Sequence, residues 1–250
     1  MASVRPAAVS GSFYPAGAAE LSTQIDRLLA EAGPGEPAKA IVAPHAGYIY
    51  SGPIAASAFH RLPRQARRVV LLGPSHFVPL RGVAVPRADL FETPLGRVAL
   101  EAPHGVARSD LAHAQEHSLE VEVPFLQRLL GEFRLVALAV GDAAPQQVAD
   151  VVGELWGGPE TAVVVSTDLS HYLPYEIAQT LDEETARRIE NLQAVEDGAA
   201  CGAAPLNGLL FEAARRGMRC ERLDLRNSGD TAGDRRRVVG YGAFALREVM

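Results

Sequence analysis

Three short apolar runs in this 250-residue chain each end at a histidine. The runs AIVAPHAGY, RRVVLLGPSHF and TAVVVSTDLSHY carry His45, His76 and His171. Apolar runs of this kind are typical of parallel strands that are buried on both faces of a sheet. Open α/β folds place their ligands at the carboxyl ends of such strands. We therefore expect all three imidazoles to emerge at one edge of a single sheet.

The rest of the pattern predicts an α/β fold. Apolar residues at helical spacing predict a helix over 18–32, and strand 40–44, helix 53–62 and strand 68–73 form a parallel crossover unit. Further strands are predicted at FRLVALAV, TAVVV, 219–225 and 236–246, short β pieces at 81–101, and helices at 118–130, 176–192 and 204–216. Ser118 is the expected N-cap of the helix over 118–130, and Pro124 is expected to kink it. We predict a single α/β domain over residues 1–250, with a mixed, mainly parallel sheet and helices on both faces.

Composition limits the classes of function. The net charge of -6 provides no basic surface for nucleic acid or an anionic membrane. No apolar stretch approaches the roughly 20 residues of a membrane span, and the N-terminus lacks a signal-peptide layout, so we expect a cytoplasmic protein. Cys201 and Cys220 form no CxxC pair, which excludes a zinc ribbon or a disulfide framework. Cys201 is interpreted as a small buried residue at a helix start, with a redox-active thiolate as the alternative.

The strand-end histidines predict a metal site. Any one of them could be a simple hydrogen-bonding residue, but three in the same setting favour a shared site. Two imidazoles plus one carboxylate form the non-haem iron(II) arrangement, and zinc could use the same ligands. His45 and His76 are the expected pair, because their strands are expected to be neighbours. The third ligand stays open among Asp230, Asp234, Asp168 and Glu116, and Asx-turns explain the first two equally well.

Other histidines receive different roles. His171 is predicted to be a general acid or base whose tautomer is held by Asp168. His117 stands at a predicted helix start, where the helix dipole favours a neutral ring that can accept a proton or a metal. His60, His104 and His113 have no comparable setting and are expected to face solvent.

Several motifs together resemble one known family. They are VRPAAVSGSFYP, APHAGYIYSG, LLGPSH, FETPLG, EHSLEVEVPFL, STDLSHY, the Cys201-Gly202 pair, NSGDTAGD and VVGYGAFAL. The chain resembles the Memo family, whose bacterial members are called AmmeMemoRadiSam system protein B. The resemblance implies the fold of class III (LigB-type) extradiol dioxygenases, with His45 and His76 as metal ligands and His171 in the place of the catalytic base. It places His117 beside the pocket and Phe13 at its entrance, so Phe13 and the adjacent Tyr14 are the candidate cofactor-binding aromatics.

One departure from the family affects the expected metal. The animal members use a cysteine near the C-terminal loop as third ligand, whereas this chain has SGDTAGD there, and Cys220 precedes the loop. Asp230 is therefore predicted to be the third ligand, with Asp234 next. Loss of a thiolate favours iron(II) over copper(I), with copper or zinc as alternatives.

The resemblance also implies partners and a function. The family name reflects proteins encoded with, or fused to, a radical SAM enzyme and an Ammecr-domain protein. We therefore expect a metal-dependent redox component of a three-component system. Two alternatives remain: a zinc-type hydrolase that uses His171 as acid or base, and a non-catalytic module that binds a small molecule, a peptide or a partner protein. The second is kept because animal members are signalling adaptors.

Overall fold

A computed structural model of the protein describes residues 2–249. Within these residues the chain forms twelve strands and eight α-helices. The first half contains β1 (Val4–Arg5), α1 (Ala18–Ala32), β2 (Ala40–Ala43), α2 (Tyr48–Phe59), β3 (Arg68–Pro74), β4 (Val83–Val85), β5 (Leu90–Thr93), β6 (Gly96–Leu100), β7 (Ala107–Arg108), α3 (Asp110–Ala114), α4 (His117–Glu120) and α5 (Val123–Leu130). The second half contains β8 (Arg134–Val140), α6 (Pro145–Leu155), β9 (Thr161–Ser166), β10 (His171–Leu173), α7 (Tyr175–Glu190), α8 (Ala203–Arg215), β11 (Arg219–Asn227), a 3-10 helix (Ser228–Asp230) and β12 (Val238–Arg247).

The strands form one mixed sheet whose centre is parallel. β8, β3, β9 and β2 lie side by side in that order and run in the same direction. β12 pairs antiparallel with β2, and β10 and β11 pair antiparallel with β12. The strand order corrects one expectation, because β9 lies between β2 and β3 and the two histidine-bearing strands are not neighbours. A crossover connection can skip one strand position, and the sequence between β2 and β3 does not show whether it does.

Helices cover both faces of the sheet, as predicted. Alternate residues of each buried strand point to opposite faces, so β2 directs Ile41 toward one core and Val42 toward the other. The first core contains residues of α1, α2 and α5, and the second contains residues of α6, α7 and α8. None of the helices in the described part of the chain is long and apolar enough to cross a membrane.

Two predicted helices differ in detail. α2 begins at Tyr48, five residues earlier than expected, and includes Pro53 in its second turn. The helix expected over 118–130 is broken into α4 and α5, with Pro124 in the first turn of α5. Proline is tolerated there because a first-turn N–H has no intrahelical partner. Ser118 is not the N-cap: the Glu116 side chain caps α4 by accepting from the Ser118 N–H.

Candidate metal centre

His45 is fixed by contacts with the residues that end β9. It lies two residues beyond β2 and is 2% exposed. Its backbone N–H donates to Asp168 Oδ1 at 2.8 Å, and its Nδ1 lies 2.8 Å from Ser166 Oγ. Burial raises the pKa of Asp168 to about 7, although it accepts from the backbone of His45. Asp168 therefore holds the His45 loop, and the sequence did not predict this contact.

His76 is held by a carboxylate. It lies two residues beyond β3, and its backbone N–H donates to Glu116 Oε2 at 2.6 Å. Its Nδ1 lies 2.8 Å from Glu116 Oε1. Burial alone would raise the pKa of Glu116, but the hydrogen bonds from His76 and Ser118 lower it to about 2, so the side chain is a carboxylate. A carboxylate can only accept, so His76 Nδ1 carries a proton, and Nε2 is the ring nitrogen left to act as a ligand.

Cys201 lies beside both histidines. Its Sγ is 3.3 Å from His45 Nε2, and one donor atom from each of His45, His76 and Cys201 lies within 4.8 Å of the others. The Asp168 N–H points at the same sulfur, at 3.3 Å. Without a metal, burial raises the pKa of the thiol to about 12, with the Asp168 carboxylate adding to the shift. Burial also lowers the pKa of His45 well below its usual value, so its ring is neutral and able to ligate.

These donors fit a tetrahedral or trigonal metal ion. Metal–nitrogen bonds of about 2.0 Å and metal–sulfur bonds of about 2.3 Å put neighbouring donors roughly 3–4 Å apart. The separation of 3.3 Å between Cys201 Sγ and His45 Nε2 falls in that range. Sequence reasoning missed Cys201 because it lies 125 residues after His76 and follows no strand directly. The Cys-Gly pair among the family motifs was the signal that could have found it.

Neither aspartate of the C-terminal loop joins this cluster in the described chain. Asp230 accepts from the Tyr175 hydroxyl and from the Asn227 N–H at 3.0 Å, which completes the capping box of the 3-10 helix. Asp234 pairs with Arg236 at 2.8 Å. Within residues 2–249, two sets of side chains have donor atoms close enough to share a metal ion. They are His45 with His76 and Cys201, and His76 with Glu116 and His117; neither set includes Asp230 or Asp234. The Asx-turn interpretation therefore describes Asp234, which accepts from the Arg236 N–H at 2.9 Å, but not Asp230. Cys201 lies beside the histidines, where Asp230 was expected.

His117 and Phe13 border the histidine pair. The His117 ring stacks on His76 with centroids 4.7 Å apart, and Phe13 also packs against His117, with a tilted ring and centroids 4.7 Å apart. Burial, with the adjacent His76, lowers the pKa of His117 to about 4. His117 Nδ1 is buried and finds no hydrogen-bond partner among residues 2–249. His76, Glu116 and His117 also place donor atoms close enough to share a metal, but Glu116 already accepts three N–H donors.

Tyr14 and two other predicted residues lie in unexpected settings. The Tyr14 side chain is buried, and its hydroxyl donates to Glu120, so it fixes the N-terminal arm rather than facing the histidines. His171 is exposed, and its Nδ1 contacts the Leu169 carbonyl at 2.7 Å instead of Asp168. That contact leaves Nε2 of His171 free to accept a proton. His113 does not face solvent: it is 1% exposed and its Nε2 donates to the Ala84 carbonyl.

The centre opens into a cleft. His76 and Cys201 line a cleft of about 810 Å³ together with Phe77, Arg81 and Asp142. The Phe77 side chain is 56% exposed, so an apolar surface stands at the mouth. A molecule of moderate size can therefore reach His76 and Cys201 from solvent, whereas His45 is covered.

Comparisons with known proteins agree with the motifs. The model of the family described as Memo-like protein matches residues 5–245. A MEMO1 family protein of Ignicoccus hospitalis is 36% identical, over 96% of this chain and 97% of its own length. A MEMO1 family protein of Methanothermobacter thermautotrophicus is 34% identical, over 95% of this chain and 98% of its own length. A MEMO1 family protein of Aquifex aeolicus is 36% identical, over 95% of this chain and 97% of its own length.

Proposed function

Because the chain belongs to the Memo family, we propose that it binds a transition metal ion through His45, His76 and Cys201 and acts as a metal-dependent redox protein. The observation that carries the proposal is the position of the Cys201 thiol, 3.3 Å from His45 Nε2 and within reach of His76. The His45 ring is buried, whereas His76 and Cys201 are at least partly open to solvent, so the three donors lie where a metal ion has access to them. The exposed cleft beside His76 and Cys201 supplies access for a reaction partner.

The donor set supports a softer metal than the sequence suggested. Thiolate ligands favour copper(I) and zinc, whereas carboxylate ligands favour harder ions. Cys201 replaces the expected aspartate, so the proposed donor set favours copper(I), with iron(II) and zinc as the competing occupants. When bound, such an ion supplies one-electron redox chemistry or, for zinc, Lewis acidity.

The protein's own residues would control access, orientation and protons. Glu116 orients His76, and Phe13 with His117 shields the histidine pair from the side of the N-terminal arm. We assign the handling of protons to His171, an exposed side chain whose Nδ1 contacts the Leu169 carbonyl and whose Nε2 lies outside that contact. Cys201 loses its own proton when it ligates, so binding releases a proton to solvent.

The proposed partners are a radical SAM enzyme and an Ammecr-domain protein. This part of the proposal is supported by the family resemblance. Co-expression of the tagged chain with both proteins tests it: copurification with either protein is the expected result. A chain that copurifies with neither, while both partners are folded and soluble, would remove the three-component role and leave the metal centre untouched.

Anaerobic metal titration tests the centre. We expect the wild-type protein to bind one copper(I) per chain, and Cys201→Ser and His76→Ala to bind at least about tenfold more weakly. Cys220→Ser is the matched control, because Cys220 is the other cysteine and lies in β11. Equal binding by Cys201→Ser and Cys220→Ser would contradict the proposal. Retention of zinc alone, with ester or amide turnover, would support a hydrolase in its place.

A further inference from the structure

The side of His45 that faces away from Cys201 contains a buried carboxyl group. Glu122 is 0% exposed and lies between α4 and α5. Its Oε1 is 2.7 Å from Ser166 Oγ, and Ser166 Oγ is 2.8 Å from His45 Nδ1. Glu122 Oε2 is buried and has no hydrogen-bond partner in the described part of the chain. A short chain of contacts therefore joins Glu122 to the proposed ligand His45 through one hydroxyl.

Proton counting around Ser166 fixes the direction of each hydrogen bond. Ser166 Oγ has three close neighbours: Glu122 Oε1, His45 Nδ1 and the Ser118 carbonyl oxygen, the last at 2.7 Å. A carbonyl oxygen can only accept, so the single hydroxyl proton of Ser166 must go to Ser118. The two lone pairs of Ser166 Oγ must then accept from both other neighbours. His45 Nδ1 and Glu122 Oε1 must each carry a proton.

The alternative arrangement has an ionised Glu122 that accepts from Ser166. It leaves the hydroxyl and the Ser118 carbonyl with lone pairs facing each other at 2.7 Å. It also leaves a buried negative charge with one oxygen unpartnered, which is costly in an apolar interior. Burial raises the pKa of Glu122 well above its usual value, the contact with Ser166 offsets only part of this, and the neighbouring Asp168 adds to it.

We propose that Glu122 is a protonated carboxylic acid that acts as a positioning residue, holding His45 through Ser166 in the tautomer that presents Nε2 to the metal. The expected effect on metal binding rests on the proposed metal centre, whereas the tautomer of His45 does not. The two ligand histidines are then oriented differently: a carboxylate holds His76, and a neutral hydrogen-bonded chain holds His45. Only the His76 ring gains the extra basicity that an anionic partner provides.

Two spectroscopic measurements on the metal-free full-length protein test the assignment. In the infrared difference spectrum between wild type and Glu122→Gln, we expect loss of a carboxylic-acid C=O band and no loss of a carboxylate band. In nitrogen-15 NMR of histidine-labelled protein, we expect His45 to be the Nδ1–H tautomer in wild type and in Glu122→Gln, since the glutamine amide N–H can replace the acid donor. A lost carboxylate band, or an Nε2–H tautomer in wild type, would overturn the proposal.

Metal titration of the variants then tests the consequence. Glu122→Gln should retain copper(I) affinity within about threefold, whereas Glu122→Leu should lose about tenfold or more, with a mixed His45 tautomer. If Glu122→Leu does not fold, Glu122→Gln still decides the matter: a loss beyond tenfold in a variant that conserves shape and neutral charge would contradict a protonated Glu122. If no variant or wild type binds metal, the proposed centre fails while the NMR result still decides the tautomer.

Discussion

At the scale of single residues, the two proposed ligand histidines point the same ring nitrogen at the site for different reasons. Glu116 holds Nδ1–H of His76 directly, and Ser166 holds Nδ1 of His45. Histidine ligands in metal sites commonly have such outer partners, which fix the ring orientation and tune its basicity. The strand-end pattern in the sequence was sufficient to predict that both histidines lie close together, but neither partner is adjacent to its histidine in sequence. Side-chain contacts between distant segments are not encoded in the local pattern.

Glu116→Gln tests the carboxylate that orients His76. The amide keeps the shape of the side chain but removes the negative charge, so His76 Nε2 becomes a weaker donor. We expect copper(I) affinity to fall by about tenfold, measured by competition with a chelator. Asp230→Asn is the control, because the Asp230 side chain accepts from the Asn227 N–H in the capping box, and an asparagine oxygen can accept there as well. A larger loss in Asp230→Asn than in Glu116→Gln would favour the aspartate as the ligand.

His113 predicts how stability depends on pH. Burial lowers the pKa of His113 from the usual 6.5 to about 4, so the unfolded chain takes up the proton first as the pH falls. The stabilisation is complete above pH 6.5 and is lost as the pH falls toward 4. Between pH 7 and pH 5 the wild type should lose about 2 kcal/mol more unfolding free energy than His113→Gln. Urea unfolding at both pH values measures this difference. The control is His104→Gln, at an exposed position, in which stability should depend on pH as it does in the wild type.

At the scale of elements, α8 places the thiol. Cys201 immediately precedes Gly202, the N-cap of α8, and this turn packs against the end of β9. A Cβ on Gly202 would lie 2.7 Å from Thr167 Cβ and 2.9 Å from the Ser166 carbonyl oxygen. Backbone atoms cannot move aside cheaply, so glycine is required for this close approach. The helix itself was predicted, but its contact with β9 was not, because helix periodicity says nothing about which strand end the helix meets.

Gly202→Ala should therefore damage the centre without removing a donor. The added methyl group pushes the start of α8 away from β9 and moves Cys201 Sγ away from His45. We expect copper(I) affinity to fall by about tenfold while the protein stays folded. Gly17→Ala is the control, since its Cβ would meet nothing closer than 3.9 Å. Wild-type affinity in Gly202→Ala would show that the site does not depend on the position of α8.

At the scale of the whole molecule, the sheet collects residues from distant parts of the chain. His45 and His76 follow parallel central strands, and the Ser166-Asp168 segment forms the end of another. They meet at one edge although more than 120 residues separate the first from the last. Apolar runs were sufficient to predict a mixed α/β sheet with helices on both faces. They could not reveal the order of the strands, because each buried run has the same composition and fits several positions.

A metal that ties together three distant segments should stabilise the whole fold. At a free concentration of about 100 times its dissociation constant, a ligand that binds only the folded state adds about 2.7 kcal/mol to the unfolding free energy. Trp156, the single tryptophan, is buried at the end of α6 and reports unfolding. We expect copper(I) to raise the urea midpoint of the wild type but not that of Cys201→Ser. An equal increase in both proteins would place the stabilising metal elsewhere.

X-ray absorption at the metal edge, on protein loaded anaerobically with one equivalent of copper(I), reports directly whether Cys201 is a ligand. We expect one sulfur scatterer and two nitrogen scatterers from imidazole, with loss of the sulfur in Cys201→Ser but not in Cys220→Ser. A spectrum of the wild type with nitrogen and oxygen scatterers only, unchanged in Cys201→Ser, would contradict the assignment of Cys201 as a ligand.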